Sequence, residues 1–162
     1  MKCRHCGADV TLTLIDLGSA PPSNAYLTKL TMRRPEKWFP LKVLVCESCW
    51  LVQAEAYSRA AELFNDEYAY FSSFSAIWLD HAEHYVRAMV ERFGLSASSH
   101  VVEVASNDGY LLQYVKQRGI PCLGIEPTAG AAAAARLKGI ETLEEFFGVG
   151  LAKKLVHQDK QA

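Results

Sequence analysis

The chain has 162 residues, of which half are apolar and 22% are charged, and its formal net charge is -1. This composition is typical of a folded globular protein and not of a disordered one. The near-neutral charge gives no electrostatic support to a nucleic-acid partner. Because no apolar run approaches membrane-spanning length and no signal peptide is recognisable, we expect no membrane partner and a cytoplasmic location.

Two Cys-x-x-Cys pairs flank the first third of the chain, and their members are Cys3, Cys6, Cys46 and Cys49. Two such pairs complete the tetrahedral Cys₄ site of structural zinc, which leaves no open position for catalysis. A redox dithiol or four unrelated thiols are the alternatives, and His5 is a possible substitute ligand. We predict a zinc-binding domain over residues 1–57 that needs Zn²⁺ for much of its folding energy.

Short apolar stretches between the two pairs predict strands around residues 12–17 and 40–45. Residues 58–75 then form a linker that is crowded with aromatic side chains. Such a segment either packs between domains or forms one wall of a substrate pocket. For Tyr68 and Tyr70, both interpretations stay open on spacing alone.

Residues 77–93 carry apolar side chains at helical spacing, which predicts an amphipathic helix that ends near Gly94. His81 and His84 lie three residues apart on this helix and are able to grip one metal ion. Because no third ligand is nearby in sequence, we expect a packing or surface role for both.

The stretch of residues 100–127 organises the rest of the chain. An apolar strand at residues 101–104 precedes a small polar turn, a helical pattern from Tyr110 and a second strand at residues 122–125 that ends at Glu126. Strand, turn, helix and strand with an acid at its tip is half of a nucleotide-binding βαβ unit. Backbone N–H groups at such a turn approach a ligand closely, and the acid accepts ribose hydroxyls.

The remaining residues predict an alanine-rich helix at 128–138 that ends at Gly139, a strand at 140–143 and a helix at 150–157. In a three-stranded parallel sheet the apolar strand 101–104 would lie without a neighbour on one side. Parallel strands are normally buried on both faces. We therefore expect either a fragment of a longer protein or a partner chain that completes the sheet.

The turn holds one glycine, Gly109, whereas a dinucleotide fingerprint needs three. This disfavours a pyrophosphate ligand and favours S-adenosylmethionine, which has no phosphate. Asn107 tolerates a left-handed backbone at such a turn. Glu103 is placed to hold the turn or a cationic end of the ligand, and Glu126 to bind the ribose. A helix cap is the alternative role for Glu126.

Together with the cysteine pairs, three stretches resemble the S-adenosylmethionine-dependent sugar C-methyltransferases that act on nucleotide-linked deoxysugars. They are residues 63–73 (LFNDEYAYFSS), 102–112 (VEVASNDGYLL) and 124–127 (GIEP). The resemblance implies an α/β fold, with a small Cys₄ zinc-binding domain followed by the first half of a Rossmann-like class I methyltransferase domain over residues 76–162.

The resemblance also implies roles for individual residues. The four cysteines would bind Zn²⁺, and Tyr70, or Tyr68 as the fallback, would line the sugar pocket. S-adenosylmethionine would contact Glu103, Ala105, Ser106, Asn107, Asp108, Gly109, Tyr110, Glu126 and Pro127. The reaction would remove a proton next to a sugar ketone and methylate the resulting enolate. Because a phenol titrates near pH 10, we expect Tyr70 to orient the substrate or stabilise the enolate.

In the family, the catalytic histidine–glutamate segment lies in a later part of the methyltransferase domain, beyond Ala162. We therefore expect this chain to bind zinc, to bind cofactor weakly if at all, and to transfer no methyl group alone. Two other classes are alternatives: a zinc-ribbon interaction or nucleic-acid module fused to a structural α/β piece, and a fragment of an NAD-dependent oxidoreductase.

Overall fold

The computed structural model describes residues 1–65 and 68–162 and divides the chain into two compact units, Met1–Leu63 and Phe64–Ala162. The boundary lies inside the segment 58–75 that the sequence predicts as a linker. Asp66 and Glu67, which belong to one of the motifs quoted above, lie outside the described residues. The predicted α/β class is confirmed, with an antiparallel sheet in the first unit and a parallel one in the second.

The first unit is built on an antiparallel sheet in the order β1-β2-β3, with β1 Leu12–Ala20, β2 Phe39–Val45 and β3 Val52–Ala54. A short helix, α1 Ala60–Leu63, follows. All of β1 except its last residue is exposed. The buried apolar cluster is small, and two of its four members are metal-ligand candidates: Cys3, Val10, Leu44 and Cys46. A core of this size contributes little hydrophobic stabilisation. Two of its members are cysteines, so a bound metal ion would stabilise the core directly.

In its described residues, the second unit contains a parallel sheet in the order β4-β5-β6 and four α-helices. Its elements are the 3₁₀ turn Ser72–Phe74, α2 Ala76–Phe93, β4 Val101–Val104, α3 Leu112–Gln117, β5 Cys122–Ile125, α4 Ala129–Leu137, β6 Thr142–Leu143 and α5 Val149–His157. The elements predicted from the sequence are therefore present, although β6 is shorter than the predicted strand and α3 begins two residues later than the predicted helix.

Helix α2 begins and ends at residues whose chemistry suits those positions. The Ser75 hydroxyl accepts a hydrogen bond from the Trp78 N–H at 3.2 Å, which satisfies one of the free amides of the first turn. Gly94 ends the helix in the left-handed conformation, at φ 61°, as the sequence predicts. Ala82 and Val86 are the buried residues of its apolar face.

Apolar clusters cover both faces of β5. Cys122 packs against a cluster that joins α2 and α3, whereas Leu123 and Ile125 belong to a second cluster that includes α5. Neighbouring residues of a strand point to opposite faces, so helices lie on both sides of the sheet, as in Rossmann-like folds.

Strand β4 has one neighbour, β5, among the residues that the structure describes. Its other edge carries unpaired backbone groups there, and Val104 at its end is 51% exposed. This matches the geometry expected from the sequence. What completes the sheet stays a prediction. Within the described parts of the chain, no helix has the length and apolar character needed to cross a membrane.

Candidate functional site

The two cysteine pairs converge on one point in the first unit. The four Sγ atoms lie within 4.8 Å of one another, and Cys3–Cys49 and Cys6–Cys46 are each separated by 3.6 Å. Four thiolates at about 2.3 Å from a tetrahedral zinc ion lie roughly 3.8 Å apart, so the cluster has the dimensions of a Cys₄ site. It is the one group of three or more such ligands found among the described residues, and His5 is not part of it.

The same backbone turn builds both halves of the cluster. In the first pair the Cys3 carbonyl accepts from the Gly7 N–H at 3.0 Å, and in the second the Cys46 carbonyl accepts from the Trp50 N–H at 2.7 Å. Gly7 and Trp50 both have left-handed backbones, at φ 74° and 62°. The N–H groups of Cys3 and Cys46 donate to the carbonyls of Ala8 and Leu51, which directly follow the two left-handed residues. Two copies of one knuckle therefore supply the four sulfurs.

The electrostatics of the cluster favour a bound cation. The Cys6 backbone N–H, followed by the Gln53 side chain, lowers the pKa of Cys3 to about 5. At Cys49 the Leu51 backbone N–H acts in the same direction, but burial and the three neighbouring thiols outweigh it and raise the pKa to about 12. Four sulfurs so close together do not all ionise unless positive charge lies between them. A divalent ion supplies that charge.

The second candidate site is the turn after β4. Ala105, Asn107 and Gly109 all adopt left-handed backbones, at φ 59°, 49° and 74°. At Gly109 a side chain has no room, because a Cβ atom would lie 2.4 Å from Ile140 Cδ1. A left-handed backbone is common for glycine and tolerated by asparagine but costs about 1–2 kcal/mol for other residues. Strain at Ala105 is therefore held in place by the surrounding contacts.

Glu126 faces this turn from the end of β5. One carboxylate oxygen accepts from the Asn107 backbone N–H at 3.0 Å. The other accepts from the Thr128 N–H at 2.8 Å and from the Thr128 hydroxyl at 2.6 Å. The residue is only 4% exposed. Glu126 thus joins the turn to Thr128, the residue directly before α4, and its role toward a ligand stays a prediction.

Side chains of the turn also hold the segment before α2. Asn107 Oδ1 accepts from the Ser72 N–H at 2.8 Å, and its Nδ2 donates to the Tyr70 carbonyl at 3.1 Å. Asp108 Oδ2 accepts from the Ser73 N–H and from Lys138 Nζ, both at 3.3 Å. Sequence reasoning missed these contacts because they join residues 30 to 37 positions apart. Because the donors at residues 72 and 73 are backbone N–H groups, the sequence held no signal for these contacts.

Three buried polar atoms near the turn have no hydrogen-bond partner among the described residues: Glu103 Oε2, Ser106 Oγ and Asp108 Oδ1. Burial, followed by the negative charge of Asp108, raises the pKa of Glu103 to about 8. Buried polar atoms in proteins are usually paired. Ser106 Oγ faces the sheet, since a Cβ on Gly124 would lie 2.5 Å from it. Glu103 and Asp108 are both acids, so a hydrogen-bond donor or a positive charge on a ligand would stabilise their free oxygens.

The predicted tyrosines and histidines occupy distinct surroundings. Tyr70 is 49% exposed, and the ring of Tyr68 lies 5.3 Å from that of Phe64. The Tyr110 ring stacks on Trp78 at 5.9 Å, and Trp78 in turn stacks on His81. Burial, and next the charge of Glu103, raises the pKa of Tyr110.

The other two predicted residues lie elsewhere. His84 contacts the Asp80 carbonyl on α2. Pro127 lies between Glu126 and Thr128, which are hydrogen-bonded to each other.

Comparison with known proteins agrees with this geometry. Residues 3–64 match a family model, Methyltransf_13, described as a zinc binding domain. Over 154 residues the chain is 32% identical to "C-methyltransferase NovU" of Streptomyces niveus. The alignment covers 95% of this chain and 36% of the relative, so the chain spans about a third of the relative's length.

The fold and the cysteine cluster define an α/β protein that joins a zinc-binding domain to part of a Rossmann-like domain. Within this class, residues 3–64 match the zinc-binding family model, and the chain is similar over 95% of its length to part of a C-methyltransferase. The resemblance expected from the sequence is confirmed at this level.

Proposed function

We propose that the chain is the N-terminal part of a methyltransferase that uses S-adenosylmethionine to methylate a carbon of a nucleotide-linked keto-deoxysugar. The observation that carries the proposal is the pair of buried, unpartnered carboxyl oxygens of Glu103 and Asp108 beside a left-handed turn. An ammonium group would donate to these oxygens and would also supply positive charge beside two neighbouring acids.

S-adenosylmethionine supplies an electrophilic methyl group on a cationic sulfur when it is bound. Glu103 and Asp108 would face its cationic end, and the strained backbone at residues 105–109 would let the ligand approach the chain closely. In the present structure the Glu126 carboxylate accepts three hydrogen bonds of the roughly four it can take. To bind two ribose hydroxyls, it would give up the bond to the Thr128 hydroxyl.

Tyr70 is the residue we propose for the sugar side of the site, and Tyr68 is the alternative. The Tyr70 carbonyl is bonded to Asn107, so the proposed cofactor turn fixes the backbone that carries this phenol. An exposed phenol hydroxyl at this position is suited to donate to the oxygen of a sugar ketone as negative charge builds up there during loss of the adjacent proton. We assign no base among the described residues and expect no methyl transfer by the chain alone.

Calorimetry with S-adenosylhomocysteine and with NAD tests the cofactor class. We expect at most weak binding of the first ligand and none of the second, because the single glycine of the turn leaves little room for a pyrophosphate. Glu126→Gln should weaken binding about tenfold. Glu144→Gln, which changes an exposed acid that pairs with Arg136, is the matched control and should leave binding unchanged. Preference for NAD would refute the proposal in favour of an oxidoreductase.

Two expectations about partners belong to the same proposal. The open edge of β4 is proposed to pair with a further strand, supplied by a longer form of the chain or by a partner chain. No nucleic acid is proposed as a ligand, because the whole chain has a net charge of -1. A shift of a labelled oligonucleotide by this protein at physiological salt would overturn the second expectation.

A further inference from the structure

Gln53 lies on β3 in the first unit, and both ends of its amide are used. The Nε2 group donates to Cys3 Sγ at 3.4 Å, and Oε1 accepts from the Arg4 backbone N–H at 3.2 Å. The residue is only 5% exposed. A buried amide that is polarised between a backbone donor and a sulfur has one orientation that satisfies both ends.

The contact makes the two knuckles unequal. Their backbone hydrogen bonds are the same, but the sulfurs at corresponding positions differ in their side-chain neighbours. Cys3 has the Gln53 amide in addition to Cys49, whereas the side-chain neighbours of Cys46 are the thiols of Cys6, at 3.6 Å, and Cys49. The difference therefore arises from β3 and not from the knuckle turn.

We propose that Gln53 is a positioning residue of the metal centre, whose N–H group donates to the Cys3 thiolate when zinc is bound. Donation to a ligand atom fixes its orientation and draws electron density from it, as partners of metal ligands do elsewhere. The hydrogen bond holds Cys3 in the ligating rotamer and lowers its reactivity toward electrophiles. The proposal concerns the metal centre and does not depend on the methyl-transfer chemistry.

The chain offers a matched control for a purely structural role. Arg4 Nη2 donates to the Ala54 carbonyl at 2.8 Å, so it joins the same knuckle to the same strand without contact to sulfur. Gln53→Met and Arg4→Met each remove hydrogen bonding between these two elements. Only the first removes a donor to a metal ligand.

The absorption spectrum of cobalt-substituted protein tests the proposal, because the energy of its thiolate-to-metal charge-transfer band depends on the electron density on sulfur. We expect Gln53→Met to move this band to lower energy and to weaken zinc binding about 10–100-fold in chelator competition. Arg4→Met should leave the band in place. Equal band positions in the two variants, or no shift in Gln53→Met, would overturn the proposal.

A measurement on the unmodified protein avoids any failure of Gln53→Met to fold. In protein labelled with ¹⁵N and loaded with ¹¹³Cd, a hydrogen bond to a ligating sulfur transmits scalar coupling between the metal and the donor proton. We expect a correlation from cadmium to the Gln53 side-chain amide protons. Correlations to backbone amides of the knuckles without one to Gln53 would contradict the proposal.

Discussion

Glu103 is the residue at which burial and charge conflict most clearly. Its carboxyl group lies in β4, has one unpartnered oxygen among the described residues and faces the charge of Asp108. Both effects favour the protonated form, so its pKa rises from an ordinary 4.5 to about 8. The folded protein therefore holds a proton that the unfolded chain has already lost between these two pH values.

This difference predicts a pH dependence of stability. A raised pKa gives stability that is complete below pH 4.5 and is lost as the pH rises through about 8. At about 1.4 kcal/mol per pKa unit, and allowing for solvent near the half-buried group, the free energy of unfolding should fall by roughly 3 kcal/mol. Urea unfolding of zinc-loaded protein at pH 5 and pH 8 measures this fall.

Glu103→Gln should remove most of that pH dependence, whereas the exposed Glu144→Gln should keep it. A Glu103→Gln protein with the same slope between pH 5 and pH 8 as the unmodified protein would show that Glu103 ionises normally. In that case its burial would not create a site for positive charge.

At the scale of single elements, local signals in the sequence are sufficient for most of the second unit. The 3.6-residue periodicity of residues 77–93 and the glycine at 94 predict α2, because helix caps and faces are set by neighbouring residues. The order of β4, turn and β5 is also predicted from local signals, since two short apolar runs flank a small polar turn. Strand β3 is not, since its three residues gain their extended form from pairing with β2.

For the two candidate sites, too, the sequence predicts the local features and not the contacts between distant elements. The cysteine pairs are local, so the sequence identifies them, and the convergence of the pairs follows from metal chemistry alone. Contacts such as Gln53 with Cys3 or Asn107 with Ser72 depend on how distant elements pack. The same holds for the hydrogen bonds that the Glu126 carboxylate accepts from the turn and from Thr128.

The turn between β4 and α3 allows a test of close packing. Gly109 and Gly119 both have left-handed backbones, at φ 74° and 69°, but a Cβ at Gly119 meets nothing within 4 Å. Gly119→Ala should therefore cost only the backbone term, about 1–2 kcal/mol. Gly109→Ala should cost about 1–3 kcal/mol more, because the new methyl group overlaps Ile140. Thermal unfolding of both variants decides, and equal losses would contradict the packing described for this turn.

At the scale of the whole molecule, the chain has two units whose stabilities have different sources. The first has a small core that includes Cys3 and Cys46, whereas the second has two apolar clusters of its own. Removal of zinc with a chelator should unfold residues 1–63 and leave the second unit folded. Amide hydrogen exchange followed by mass spectrometry measures the two units separately.

Cys46→Ser should reproduce the effect of the chelator, and Cys122→Ser, a change of the one cysteine outside the cluster, should not. Undiminished protection of residues 39–54 in zinc-free protein would show that the metal is not required for the fold of this unit.

We propose above that the turn at residues 105–109 and Glu126 form one binding site for a cationic methyl donor. Amide chemical shifts during titration with S-adenosylhomocysteine test it most directly, because they detect even millimolar affinity. We expect the Asn107 and Thr128 amides, both bonded to Glu126, to shift most, and NAD to leave them unchanged. Unchanged shifts at both amides with S-adenosylhomocysteine near saturation of its solubility, or equal shifts with NAD, would contradict it.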